Sequence, residues 1–301
     1  MPSEQPAALL EGVYVANVTP FLDDDRFSID MEAYLGHVEW LASQGVTGIV
    51  PFGTNGEGPS IAAREKRPVF EALVARTGDL QIIATVAEGN LPDTLDQLRF
   101  LQDLPVRAVL VLPPYYWKPA EIEGLRVYYE RVLAATRHPV VVYHIPKYAV
   151  PVPSDLVVSL PVWGVKDSGG EPGYAETLRA GGKGVLVGTE DDLPARLRTA
   201  DGSISGLANI VPEQVVALYS HVRAGRAEQA AILSAHLQRV RAMTKEYASA
   251  GILKRVAQQR HEHPMGTVRP PLVPISPSFD AVAAAELALS GPGELVAEDS
   301  L

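Results

Sequence analysis

The sequence predicts an α/β protein, a (β/α)8 TIM barrel with additional C-terminal helices. Three observations predict it. Short β-branched runs alternate with longer stretches of helical periodicity along most of the chain. The alternation recurs eight times within about 220 residues, close to the spacing of a parallel barrel of ~250 residues. No Gly-x-Gly-x-x-Gly follows the first strand, which disfavours the open doubly wound sheet, the other architecture that alternates in this way.

The first unit is a strand over 12–19 and a helix over 29–43. Ser28 or Asp30 stands near the helix start, where a side-chain oxygen can accept from a free N–H. The second unit has a strand over 46–52 and a helix over 60–76, the third 80–86 and 92–102, and the fourth 106–112 and 120–136. The fifth pairs 139–145 with a short helix over 154–160, and the sixth pairs 162–166 with 173–180. The seventh pairs 183–188 with 191–199, and the eighth 202–206 with 212–223. Residues 1–224 therefore read as the barrel, and residues 225–301 as a helical extension packed on it. Within that extension 226–257 is Ala-rich and helical. A proline-rich stretch (Pro264, Pro270, Pro271, Pro274, Pro277) reads as an extended tail, with one more helix over 279–289.

Composition narrows the function. With 301 residues, 47% hydrophobic and 21% charged, the chain has the balance of a globular protein with a full core. No apolar run approaches the ~20 residues that span a bilayer, and the first ten residues carry an acid and no base, unlike a secretory signal. The net charge of −10 argues against a general nucleic-acid or anionic-membrane surface. The absence of cysteine excludes disulfides, thiolate metal sites and a cysteine nucleophile, and suits a cytoplasmic protein.

A barrel keeps its chemistry at the C-terminal ends of its strands. The residues there are Thr54 and Asn55 after the second strand, Tyr115 and Tyr116 after the fourth, Tyr143 on the fifth, Lys166 on the sixth and Ile204 in the eighth. Lys166 is one of seven lysines and ends the apolar run Val162-Trp-Gly-Val165. A lysine inside a barrel wall is desolvated. Desolvation favours the free amine, the form that attacks a carbonyl to give a Schiff base. The structural alternative is a strand-end lysine that snorkels to water. Tyr143 lies one strand earlier at a similar height, about 4.8 Å away by strand spacing, where a phenol can pass protons. Its alternative is a core tyrosine with a satisfied hydroxyl. The loop Gly53-Thr-Asn-Gly-Glu-Gly58 lets N–H groups converge on a carboxylate or phosphate, or is a plain turn. His261-Glu-His263 lacks metalloprotease spacing and reads as a solvated surface cluster, and Asp23-Asp-Asp25 as an exposed loop; no metal is expected.

Taken together, Thr19-Pro-Phe21, Gly53-Thr-Asn-Gly-Glu57, Pro114-Tyr-Tyr116, Tyr143-His-Ile-Pro146, Val165-Lys-Asp-Ser168 and Arg269-Pro-Pro-Leu272 resemble the dihydrodipicolinate synthase / N-acetylneuraminate lyase family of class I aldolases. The resemblance runs from about Gly12 to Leu272. It implies that Lys166 is the Schiff-base lysine, Tyr143 the proton-relay tyrosine and Thr54 the relay hydroxyl. It further implies that Tyr116 is lent across a subunit interface, that Ile204 turns its backbone carbonyl to the lysine, and that the backbone around Thr54 and Asn55 holds the carboxylate of pyruvate. The partners so implied are a 2-oxo acid and an aldehyde, without metal or organic cofactor, in a homotetramer built as a dimer of dimers.

Departures from the family pattern bear on the substrate. Asn55 replaces the second threonine of the glycine loop. His144 replaces an asparagine and, by strand alternation, faces away from Tyr143. Where the family's synthases carry an arginine for the second substrate's carboxylate, this chain has Tyr148, preceded by Lys147. A phenol cannot form the bidentate ion pair. Ala63 and Lys66 stand where the family's lysine-inhibition site has histidines, so lysine feedback is not expected. The expectation is an aldolase or lyase for a 2-oxo-3-deoxy sugar acid or a 4-hydroxy-2-oxo acid. The alternatives are 4-hydroxy-tetrahydrodipicolinate synthase, a 2-oxo-3-deoxy sugar acid dehydratase, and a non-catalytic 2-oxo-acid-binding homologue.

Overall fold

In the computed structural model, which describes residues 7–244, 249–261 and 263–292, eight parallel strands close into a barrel in chain order. They are β1 (Gly12–Val15), β2 (Gly48–Ile49), β3 (Gln81–Val86), β4 (Ala108–Val111), β5 (Val140–His144), β6 (Gly164–Asp167), β7 (Gly184–Val187) and β8 (Gly202–Ser205). The helices between them are α1 (Met31–Ser43), α2 (Ala63–Arg76), α3 (Leu91–Leu101), α4 (Ile122–Ala134), α5 (Ser154–Ser159), α6 (Tyr174–Ala180), α7 (Leu193–Leu197) and α8 (Pro212–Arg223). β8 returns to β1 with Ile204 opposite Tyr14, which closes the ring.

The two faces of the strands feed two separate apolar clusters. Tyr14, Ile83, Leu110, Val141, Leu186 and Ile204 fill the barrel. Val13, Val109, Val140, Val142 and Val185 face the helix layer. That alternation is the period-two pleat of a strand buried on both sides.

Local chemistry explains where elements start and stop. Asp30, not Ser28, caps α1, its Oδ1 accepting from the Ala33 N–H at 3.0 Å. β2 is shorter than the predicted 46–52. Pro51 has no N–H to offer the ladder, and Phe52 takes φ 61, which turns the chain out of the sheet. α2 starts three residues later than expected, behind a short 3-10 turn, and the Glu65 carboxylate accepts from the Ala62 N–H at 3.0 Å.

Beyond the eighth unit, α9 (Ala227–Thr244) and α10 (Ser249–His261) take up the Ala-rich segment, and α11 (Ala281–Leu289), capped by Asp280, follows the proline-rich stretch. Leu233, Leu237, Val240, Ile252, Val256 and Ala288 join the same apolar layer as the barrel helices. No helix among the described residues is long and apolar enough to cross a membrane. Residues 1–6, part of the N-terminal stretch read above for a signal, and 293–301 lie outside the described residues.

One expectation is corrected. His261 is not part of a solvated surface cluster. It ends α10 half-buried, with Nε2 2.9 Å from Nδ1 of the fully buried His37. The His37 Nε2 lies 3.1 Å from Asn209 Oδ1. Asn209 fixes the proton positions. Its amide nitrogen donates to the carbonyls of Ala16 and Gly206, so its oxygen is the acceptor and His37 Nε2 the donor. His37 Nδ1 then accepts from His261 Nε2, and His261 Nδ1 accepts from the His263 N–H. Burial pushes His37 down to about 3 and His261 to about 4, so both rings are neutral. Gly36 leaves room for the neighbouring His263 ring, since a Cβ there would lie 2.5 Å from His263 Cε1. The exposed loop at Asp23, Asp24 and Asp25 is found as expected.

Candidate active site

Lys166 and Tyr143 are register partners on β6 and β5. Their neighbouring strands carry both side chains toward the barrel axis at one level. Lys166 is only 3% exposed, and its Nζ lies 4.2 Å from the centroid of the Tyr143 ring. The amine therefore does not snorkel to water. Two other lysines are as deeply buried, and each has a carboxylate: Lys66 on Glu88 at 2.8 Å and Lys254 on Glu57 at 2.5 Å. Lys166 has no such partner among the described residues, and faces a ring instead.

The Tyr143 hydroxyl is 3.1 Å from Thr54 Oγ1. Tyr143 is buried and Thr54 is exposed, so the pair runs from the barrel interior to its mouth. Behind Tyr143, His144 points the other way as alternation requires. Its ring stacks on Tyr174 of α6 at 4.2 Å, and its Nε2 lies 2.8 Å from Glu171.

Lys166, Tyr143 and Thr54 open on a cavity of about 600 Å³ at the C-terminal ends of the strands. Asn55, Ile204 and Tyr148, the other residues predicted from sequence, line the same cavity. Tyr116 does not. It is 80% exposed beside Trp117 and lies outside the cavity of its own chain.

The cavity also has a polar wall that the sequence reading missed, made of Ser168, Thr189, Glu190, Arg241 and Thr244, with Lys147 at the rim. Glu190 Oε1 accepts from Ser205 Oγ at 2.7 Å and from the N–H groups of Gly206 and Leu207, which ties the loop after β7 to the end of β8. Arg241 of α9 spans Glu190 and Asp191. The strand-end rule applied to β7 would have found Thr189 and Glu190. Nothing in the sequence marks Arg241, which arrives from a helix outside the barrel.

His144, Asp167 and Glu171 bring three ligand atoms within 4.8 Å of one another. They do not suit a metal. His144 Nδ1 accepts the Val152 N–H at 3.3 Å, so the ring proton sits on Nε2, the nitrogen a cation would need. Asp167 Oδ1 is committed to the N–H groups of Gly169 and Gly170.

A barrel with an amine and a phenol side by side at its strand ends has the form of a carbonyl-condensing lyase. The chain belongs to the Dihydrodipicolinate synthetase family, whose model matches residues 9–287. It is 29% identical over 295 residues to the 4-hydroxy-tetrahydrodipicolinate synthase of Bartonella bacilliformis, covering 94% of this chain and 99% of that one. It is 30% identical over 277 residues to an uncharacterized DapA-like lyase of Chloroflexus aurantiacus, covering 88% and 92%. Among solved structures, the sialic acid aldolase of Ruminococcus gnavus superposes with a TM-score of 0.89 at 22% identity, covering 95% of this chain and 99% of that chain, a likeness of fold. By family this chain is a class I, Schiff-base lyase.

Proposed function

We propose that the protein is an aldolase or lyase that binds pyruvate or a related 2-oxo acid covalently on Lys166, and that it forms or cleaves a carbon–carbon bond to a 2-oxo-3-deoxy sugar acid or a 4-hydroxy-2-oxo acid. The observation that carries this reading is the buried Lys166 amine against the Tyr143 ring, with the Tyr143 hydroxyl bonded to Thr54. Nζ adds to the ketone carbon and water leaves, giving an iminium ion. The iminium accepts the electron pair released when the neighbouring carbon loses a proton or a carbon substituent. The resulting enamine attacks an aldehyde or is protonated. Tyr143 and Thr54 carry the protons, and the backbone at Thr54 and Asn55 holds the carboxylate. Every step closes with protein groups and water, so the reading invokes neither metal nor organic cofactor.

The hydroxyl and carboxylate groups of Ser168, Thr189, Glu190 and Thr244 on the cavity wall suit a hydroxylated partner. Tyr148, exposed at the rim, does not offer the guanidinium that a second carboxylate would call for, and the Arg241 guanidinium on the wall is held by Glu190 and Asp191. A second reading, 4-hydroxy-tetrahydrodipicolinate synthase, is favoured by Lys147, whose ammonium lies 5.0 Å over the Tyr148 ring and lines the cavity. In the proposed assembly, a cytoplasmic dimer of dimers, exposed Tyr116 completes the site of a neighbouring copy. Residues 1–224 form the catalytic barrel, and 225–301 the extension that supplies Arg241.

Pyruvate with borohydride, followed by peptide mass mapping, tests the reading. A reduced adduct on Lys166 is expected, and its absence there overturns the assignment. Aldehyde panels with sugar-derived aldehydes and aspartate semialdehyde then separate the two readings.

A further inference from the structure

Three of the sequence motifs contribute little or nothing to the wall around Lys166: Thr19-Pro-Phe21, the Glu57 end of the glycine loop, and Arg269-Pro-Pro-Leu272. They meet one another instead, in a single buried polar cluster under that loop. Glu57 and Lys254 are 2% and 1% exposed, and Nζ of Lys254 lies 2.5 Å from Glu57 Oε1. The other carboxylate oxygen, Oε2, accepts the Arg269 N–H at 2.9 Å. Lys254 also donates to the Thr267 carbonyl at 2.6 Å. Two cations lie over the Phe21 ring, Lys254 at 4.3 Å and Arg269 at 4.4 Å from its centroid. Thr19 Oγ1 donates to the Gly56 carbonyl at 2.7 Å. The Arg269 guanidinium continues outward to Glu65 and to the carbonyls of Phe27 and Ser60.

The loop above the cluster does not hold its shape by itself. Phe52 and Glu57, which bracket Thr54 and Asn55, both sit at positive φ, 61° and 54°, where side-chain-bearing residues are strained. Such a conformation persists only where contacts over-determine it. Phe52 is held by its buried ring against Phe70 and Tyr34. Glu57 is held by its carboxylate. Burial pushes the Lys254 ammonium down and Glu57 pulls it part of the way back, to about 8, so the carboxylate supports the charge of this lysine.

We infer that Glu57 and Lys254 are positioning residues for the reaction: their buried ion pair, extended by Arg269, fixes the Thr54–Asn55 loop to α10 and to the 267–269 segment, and so sets the site that receives the carboxylate of the 2-oxo acid. The inference rests on the reading of Lys166 given above. It predicts a selective defect. Capture of a substrate that carries a carboxylate weakens, while access of a neutral ketone to the Lys166 amine does not.

The experiment compares the full-length parent with the charge-free double variant Glu57→Gln/Lys254→Met. Folding is followed by circular dichroism. Borohydride trapping at Lys166 is measured against concentration for pyruvate and for hydroxyacetone, a ketone without a carboxylate. The expected result is a tenfold or greater rise in the pyruvate concentration for half-trapping, with the hydroxyacetone value within twofold of the parent. A folded variant with an unchanged pyruvate value overturns the inference. So does equal weakening toward both ketones, the signature of a merely structural role. If the double variant does not fold, Glu57→Asp is read in its place, since it keeps a carboxylate opposite Lys254 and draws it back by one methylene. A threefold or greater rise specific to pyruvate supports the inference, and no change overturns it. A parent that traps neither ketone overturns the reading of Lys166 itself, an outcome distinct from either of these.

Discussion

Replacing Tyr143 by Phe separates the chemical role of its hydroxyl from its structural one. The ring is buried in the barrel interior, and it also forms the face over which the Lys166 amine sits at 4.2 Å. Phe keeps both. The hydroxyl makes one bond, 3.1 Å to Thr54 Oγ1, and a neutral hydrogen bond of this kind contributes about 1 kcal/mol net. Thr54 is exposed, so water replaces the lost partner and the folded state should lose no more than that. Proton transfer by a positioned group accelerates a reaction by roughly 10²–10⁴-fold. At 1.36 kcal/mol per factor of ten, this is about 3–5 kcal/mol of barrier. Tyr143→Phe should therefore melt within a few degrees of the parent, form the borohydride-trapped adduct on Lys166 more slowly, and turn over at least a hundredfold more slowly. The assay is steady-state turnover with the best aldehyde, alongside trapping and thermal denaturation. A folded variant that turns over within threefold of the parent would refute the assignment of the phenol as a proton carrier.

Two further expectations concern stability. His37 and His261 are held neutral in the fold, at about 3 and about 4, against 6.5 when unfolded. The unfolded chain thus binds more protons below pH 6.5, and stability falls from there downward until the folded rings themselves titrate. For the fully buried His37 the loss at pH 4.5 is ~3 kcal/mol. His37→Gln should show a correspondingly smaller drop in urea-unfolding free energy between pH 7 and pH 4.5, and an identical drop would count against the neutral histidine pair. Lys66→Met strands the Glu88 carboxylate, whose side chain is 9% exposed, and should cost ~3–5 kcal/mol in chemical denaturation. Lys66→Met/Glu88→Gln should recover most of that loss, and a double variant no better than the single would refute the ion-pair account.

The sequence makes the barrel legible because each strand carries its own local signal. A β-branched run bounded by a helix pattern needs no distant partner to be recognised, and α8 begins at Pro212 and ends at Arg223 as the periodicity predicts. Lys166 and Tyr143 are legible for the same reason, since each ends an apolar run on a strand whose face follows from its pleat. The end of β2 is less so. Pro51 is visible, but that Phe52 would turn to positive φ depends on Tyr34 and Phe70 closing around its ring. What the sequence hides is made by long-range closure. Arg241 reaches the cavity wall only because α9 folds back over the loop after β7. His261 is an ordinary helix-end histidine until His37, more than two hundred residues earlier, meets its ring. Lys254 shows no sign in the sequence of its bond to Glu57, 197 positions away.

The pairing of Tyr143 with Lys166 across adjacent strands has a consequence for how such a protein changes over time. The spacing of their Cα atoms is dictated by the backbone ladder, the stiffest part of the molecule, and not by any turn. Loops at the rim can lengthen, shorten or exchange residues without moving either strand. Selectivity is thereby free to diverge while the proposed reactive pair stays in place. A designer seeking a new aldehyde partner would accordingly leave these two strands alone and rebuild the segments bearing Tyr148 and Thr189.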